Sequence, residues 1–125
     1  MMKTGDTLSW KRTFTEEDIR LFTRVSGDGG EHHNVPDQQG RLMAHGLLTA
    51  TLPTKIGGDM NLLAREMTFR FYRPVFVGDT ITCLVTLISA EPGDDYLSIV
   101  TEWTCTNQHG KEVMTGRGSG VIRNR

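Results

Sequence analysis

Ala44-His45-Gly46-Leu47-Leu48-Thr49-Ala50-Thr51-Leu52 is the stretch on which the fold turns. Apart from His45 it holds no ionisable side chain. A helix with so few polar positions is buried nearly all round, so this segment is expected to form a central helix. Pro53 and Gly57-Gly58 are expected to limit its length. The chain beyond it reads as β. Phe69 and Phe71 alternate with Arg70 and Tyr72, which puts the phenylalanines in the core and Arg70 and Arg73 on a solvated face. Val77-Gly78-Asp79-Thr80 turns the chain, and Ile81, Cys83, Val85 and Leu87 share one face of a long strand. Glu91 to Asp95 turns it again, and Leu97, Ile99, Thr101, Trp103 and Cys105 share one face of the next strand. After Asn107-Gln108-His109-Gly110 a last strand runs from about Lys111 to Ile122.

On the other side of the central segment, Leu8, Trp10, Arg12 and Phe14 alternate with polar neighbours as a short strand. Thr15 then offers a helix N-cap, with Glu16, Glu17 and Asp18 at the positive end of the helix dipole. Ile19, Phe22 and Val25 fall near one face, and Gly27 is a stop signal. Residues 27–43 read as a loop. The class is therefore α+β, one antiparallel sheet wrapped around one buried helix. A single sheet of this size has edges to manage, and edge-to-edge pairing in a homodimer is one solution.

Size and charge narrow the function. The 125 residues are expected to form a single domain, 1–125, large enough for a core without staples. A net charge of −1 leaves no basic stripe to neutralise phosphates, so a general nucleic-acid binder is excluded. Met1 to Trp10 has no charged region followed by an apolar run, and no apolar stretch is long enough for a membrane span. Neither a signal peptide nor membrane attachment is expected, and the cytoplasm is the default compartment. Cys83 and Cys105 lie far apart in sequence and read as small buried strand residues. Gly116-Arg117-Gly118-Ser119-Gly120 fails the phosphate-loop spacing. Its alternate glycines leave one strand face bare for the central helix or a ligand.

The chemistry concentrates in Ser26-Gly27-Asp28-Gly29-Gly30-Glu31-His32-His33, with His45-Gly46 downstream. A carboxylate and an imidazole on one loop can converge on a single water. The first N–H groups of the central helix lack intrahelical acceptors and suit a developing oxyanion. His45 reads as a buried helix-start histidine held by hydrogen bonds. Glu31, His32, His33, Asp37 and His45 match no standard zinc spacing, so no metal is expected.

Four motifs occur in order: Ser-Gly-Asp, His five residues after the Asp, Ala-His-Gly-Leu-Leu, and Phe-Arg-Pro-Val-Phe-Val-Gly-Asp-Thr with one residue inserted after Phe71. Together they resemble the MaoC-like dehydratase family, which includes the (R)-specific enoyl-CoA hydratases. The resemblance runs from about Phe14 to the end. It implies a hot-dog fold, a curved antiparallel sheet around a central helix, usually paired as a homodimer. It implies hydration of a 2-enoyl thioester or dehydration of a 3-hydroxyacyl thioester. Asp28 and His33 are then the catalytic pair, and the Gly46 N–H polarises the thioester carbonyl. His45, Arg65, Arg70 and Arg73 are the substrate-binding candidates, with Lys55 a further cation for the nucleotide phosphates. The substrate is an acyl-CoA or acyl-carrier thioester, and the acid–base chemistry implies no cofactor.

The family pattern usually runs Asp-x-Asn-Pro-x-His, whereas Gly30 and Glu31 hold the Asn and Pro places here. A flexible loop with an extra carboxylate is expected. Two other classes stand beside the hydratase. Hot-dog thioesterases often carry a carboxylate on the central helix, which Ala44 to Gly58 lacks. A non-catalytic acyl-CoA-binding module suits the altered loop.

Overall fold

The alternating segments pair into one antiparallel sheet. The structure, a computed structural model, describes residues 2–123. Its strands are β1 (Thr7–Thr13), β2 (Leu63–Phe71), β3 (Thr80–Pro92), β4 (Tyr96–Thr106) and β5 (Glu112–Arg123). They lie in the order β1-β3-β4-β5-β2. Between β1 and β2 come α1 (Glu16–Ser26), α2 (Glu31–Asn34), α3 (Gly46–Thr49) and α4 (Thr51–Asp59). The expected sheet around one central helix is present. Its outer face carries Thr82, Thr86, Glu102 and Arg117, while Ile81, Cys83, Val85, Leu87, Ile99 and Met114 turn inward. Leu48, Leu52 and Ile56 of the helix meet that inner face, with Phe14 and Ile19 at one end.

α1 begins and ends where the sequence signals do. Thr15 Oγ1 accepts from the Asp18 N–H at 3.2 Å, and the Asp18 carboxylate accepts from the Thr15 N–H at 2.9 Å. This reciprocal capping box satisfies two helix-end donors. Burial alone would raise the Asp18 pKa, but its bonds from Thr15 and Arg12 outweigh that and hold it below the ordinary value. Gly27 closes α1 in the left-handed region, φ 76°, its N–H donating to Thr23 O. Thr15→Ala is expected to cost about 1 kcal/mol, readable as a lower midpoint in thermal unfolding with activity unchanged.

Several expectations need correction. The central helix is not closed off by Pro53: α4 runs through it and ends at Asp59, one residue past Gly57-Gly58. Ala50 divides the helix, so Pro53 falls in the first turn of α4, where its missing N–H costs no hydrogen bond. Nor is the helix buried all round. Leu47 is 60% exposed, and Thr51 and Lys55 follow it on the same outward face. β2 starts at Leu63, well before Phe69. Phe71 is 52% exposed rather than core, because β2 is an edge strand and the helix does not cover its end.

The glycines of β5 serve a different neighbour from the one expected. A Cβ on Gly116 would come within 2.5 Å of the Trp103 ring, and one on Gly118 within 3.0 Å. The indole of β4 fills the bare face at these two glycines, the β2 backbone at Leu63 crowds Gly120, and Gly118 also borders a cavity under α4. Cys83 and Cys105, distant in sequence, stand opposite each other across β3 and β4. Both are buried, and the hydrogen bond with Cys83 and its burial push the Cys105 thiol far up.

Candidate active site

The αL turn at Gly27 delivers the chain to Asp28. There the Asp28 N–H donates to Ser26 Oγ at 3.0 Å, and the Gly30 N–H donates to Asp28 Oδ1 at 3.1 Å. The segment read as loop then contains a helical turn, α2, which carries His32 and His33. His33 is 5% exposed, and its Nδ1 lies 2.8 Å from Met43 O. A carbonyl can only accept, so Nδ1 carries the proton and Nε2 keeps its lone pair in the neutral ring. That Nε2 is 3.7 Å from Asp28 Oδ2. Asp28 itself is exposed, so its second oxygen is open to water.

His45 supports this pair from behind. It is 2% exposed and stacks on His33 with ring centroids 3.8 Å apart and planes 17° from parallel. Its Nε2 donates to Asp28 O at 3.0 Å and also faces Thr23 Oγ1 at 3.2 Å. Its Nδ1 is buried without a partner among the described residues. Burial lowers the His45 pKa below the ordinary histidine value. The bond to Asp28 O opposes this, and the neighbouring His33 reinforces it.

The sign of the consequence is fixed. The unfolded chain takes up a proton on His45 near pH 6.5 that the folded chain refuses until lower pH. Stability should therefore fall as pH drops below about 6.5, by at most about 1.4 kcal/mol per pH unit from this one group. Thermal midpoints of wild type and His45→Asn measured at pH 7.5 and 5.5 check it. The drop on acidification is expected to be smaller in the variant.

Donor atoms of Asp28, His33 and His45 lie within 4.8 Å of one another, which invites a metal. The ring geometry argues against one. An imidazole binds a metal in its own plane at roughly 2.0–2.1 Å. Two rings stacked face to face cannot both place one ion in their planes. The arrangement is a stack, not a chelate.

Beside His33 opens a cavity of about 370 Å³, walled by His32, Met43, Gly46, Thr49, Phe71 and Arg73 among others. His45 caps α3 through its backbone, accepting from the N–H groups of Leu48 and Thr49. Among the described residues none accepts from the N–H of Gly46 or Leu47, which are the first of the helix. Gly46 is exposed but faces the Phe71 ring, which a Cβ there would approach to 2.9 Å. Asp28, His33 and His45 are thus brought together, and Gly46 shares the cavity wall with His33, while Asp28 lies off that wall. The basic residues are not brought together. Arg73 lines the cavity, its Nη1 bonded to Glu112 O at 2.6 Å. Arg70 lies in a separate shallow depression beside Arg117, Arg65 lies beside Tyr96, and Lys55 pairs with Asp59 over the Trp10 ring. Asn34 escaped the sequence reading altogether. Its Nδ2 donates to Gly29 O at 2.7 Å, a bond across the glycine loop.

A five-stranded antiparallel sheet wrapped around a helix is the hot-dog fold. Residues 1–116 match the model of the FAS1-like dehydratase domain region. An (R)-specific enoyl-CoA hydratase of Rhodospirillum rubrum is 30% identical over 97% of this chain and 88% of its own. A mitochondrial 3-hydroxyacyl-[acyl-carrier-protein] dehydratase of Arabidopsis thaliana is 25% identical over 99% of this chain and 80% of its own. The unliganded R-hydratase of Pseudomonas aeruginosa superposes with a TM-score of 0.85 at 22% identity, over 99% of this chain and 87% of that one. The chain belongs to the MaoC-like dehydratase family, with the hot-dog fold.

Proposed function

We propose that this protein is an (R)-specific 2-enoyl-CoA hydratase, or equivalently a 3-hydroxyacyl thioester dehydratase, acting through Asp28, His33 and Gly46. The observation that carries the reading is the 3.7 Å separation of two acceptors, Asp28 Oδ2 and the bare His33 Nε2. One water at roughly 2.8 Å from each can donate a hydrogen to both. Its oxygen attacks the β-carbon, the π pair moves toward the thioester oxygen as an enolate, and the pair removes the water's proton. A proton returned to the α-carbon completes the addition. In this reading the Gly46 N–H, without an acceptor among the described residues, donates to the enolate oxygen. An acid–base pair is worth about 10²–10⁴-fold and a single oxyanion donor about 10²-fold or more.

The R. rubrum and A. thaliana relatives support the substrate class, and the R. rubrum relative, named (R)-specific, supports the stereochemistry. Either CoA or an acyl carrier suits the thioester. Arg73 remains at the substrate pocket in this reading and His45 stands behind His33, while Arg65 and Arg70 are left to the outer path of the carrier or nucleotide. The second apolar cavity, about 180 Å³ between α4 and the sheet, is walled by Met60, Met67, Val85 and Trp103 and offers the acyl tail a place. The uncovered edge of β2 suits pairing with a second copy, and we read the active form as a homodimer. No helix among the described residues is long and apolar enough to cross a membrane, and we place the protein in the cytoplasm.

The thioesterase alternative finds no support in the helix. Its one carboxylate, Asp59, is exposed at the far end of α4 and ion-paired with Lys55. Crotonyl-CoA and a longer 2-enoyl-CoA, followed by absorbance of the conjugated thioester beside a free-thiol assay, separate the readings. Loss of absorbance without thiol release supports the hydratase. Thiol release moves the reading to a thioesterase, and silence in both assays moves it to a binding module.

A further inference from the structure

Three successive carbonyls of the site loop each have their own donor. Asp28 O accepts from His45 Nε2 at 3.0 Å, Gly29 O from Asn34 Nδ2 at 2.7 Å, and Gly30 O from the His33 N–H at 2.9 Å. The first bond belongs to a buried stack and the third to the backbone of the α2 turn. The middle one depends on a single exposed side chain. Asn34 Nδ2 also lies 3.5 Å from Gly30 O, and a Cβ added to Gly29 would come within 3.3 Å of it. The amide orientation follows from its partners, since a carbonyl cannot donate.

What this bond holds matters because the two reacting groups do not hold each other. At 3.7 Å, Asp28 and His33 make no direct hydrogen bond. Between them run Gly29 and Gly30, which without Cβ atoms have the widest backbone freedom of any residues. Asn34 follows His33 directly on α2. A tie from Asn34 to Gly29 therefore fixes the Asp28 carboxylate to the same rigid turn that carries the imidazole. We propose that Asn34 is a positioning residue that sets the Asp28–His33 geometry through the Gly29 carbonyl. Its amide N–H groups reach only loop carbonyls, those of Gly29 and Gly30, so its effect is transmitted through the loop. The inference rests on the hydratase reading above for its effect on rate, but not for its effect on the loop.

The test uses Asn34→Ala and the isosteric Asn34→Asp, which keeps the shape and loses the N–H donor. For each, kcat and KM are measured with crotonyl-CoA, and ¹⁵N relaxation gives backbone order parameters for Gly29 and Gly30. Displacing a reacting group by about 1 Å can cost on the order of 10²-fold. Partial loosening is expected to lower kcat by about 10-fold, with KM within about 2-fold of wild type. The glycine order parameters should fall from about 0.85 toward 0.6. Unchanged kcat with rigid glycines in both variants overturns the proposal, as does a rise in KM with kcat intact, which belongs to a substrate contact. If the wild type itself shows no hydratase turnover, the functional reading fails and the order parameters alone decide the tie: a fall upholds it and rigid glycines overturn it.

Discussion

Asp28→Asn is expected to lower turnover of a 2-enoyl thioester by about 10²-fold or more while leaving the fold intact. The substitution is mild where structure is concerned. Asn Oδ1 can still accept from the Gly30 N–H, and the Asp28 backbone carbonyl still accepts from His45. What is lost is the charged oxygen opposite His33 Nε2. His33→Ala should remove a comparable share of the rate at a higher structural cost. It deletes a buried ring bonded to Met43 O and stacked on His45. Leaving that carbonyl without its donor costs roughly 1–3 kcal/mol, so the thermal midpoint should drop by several degrees. Steady-state kinetics paired with thermal unfolding separates the two effects. Wild-type rates in either variant would sink the site assignment.

The second large effect concerns the helix start. Gly46→Pro deletes one N–H and little else from the backbone. Gly46 is the first residue of α3, where proline is favoured and its missing N–H breaks no helical bond. His45 before it has φ −63° and ψ 142°, the conformation a residue preceding proline prefers. The obstacle is Phe71, whose ring lies 2.9 Å from a Cβ at position 46. Both Gly46→Pro and Gly46→Ala are therefore best made in a Phe71→Ala background, which is inexpensive because Phe71 is half exposed. The proline variant should turn over about 10²-fold more slowly than the alanine variant, the value of one oxyanion donor. Equal rates would mean that the Gly46 N–H plays no part.

How far the sequence foretells this molecule depends on what kind of signal each element carries. α1 is legible at both ends, because Thr15, Asp18 and Gly27 are local signals that need no partner. α2 has no side-chain cap and lasts one turn, so nothing local distinguishes it from loop. The helix running past Pro53 is a tertiary outcome, in which packing of Leu52 and Ile56 on the sheet overrides weak propensity. Alternation puts Phe71 on the inner face correctly, but cannot say that β2 is an edge whose end no helix covers.

The cross-strand pairing of Cys83 with Cys105 was within reach. The two lie at similar distances from the Glu91 to Asp95 turn, and the bulge between Leu87 and Ser89 shifts the register only near the turn. In the site, the chemistry-bearing residues Asp28, His33, His45 and Gly46 are legible from motif and spacing. Asn34 is not, because its role lies in one bond to a carbonyl that becomes visible only once α2 folds it back over Gly29.

The central claim is that a water held between Asp28 and His33 adds to an enoyl thioester, and the product itself tests it most directly. Crotonyl-CoA incubated with the protein should yield a thioester heavier by one water, with the (R) configuration at its new hydroxyl-bearing carbon, and should do so far more slowly with Asp28→Asn. Free CoA in place of the hydroxyacyl thioester, or hydration at the same rate in that variant, would contradict the account.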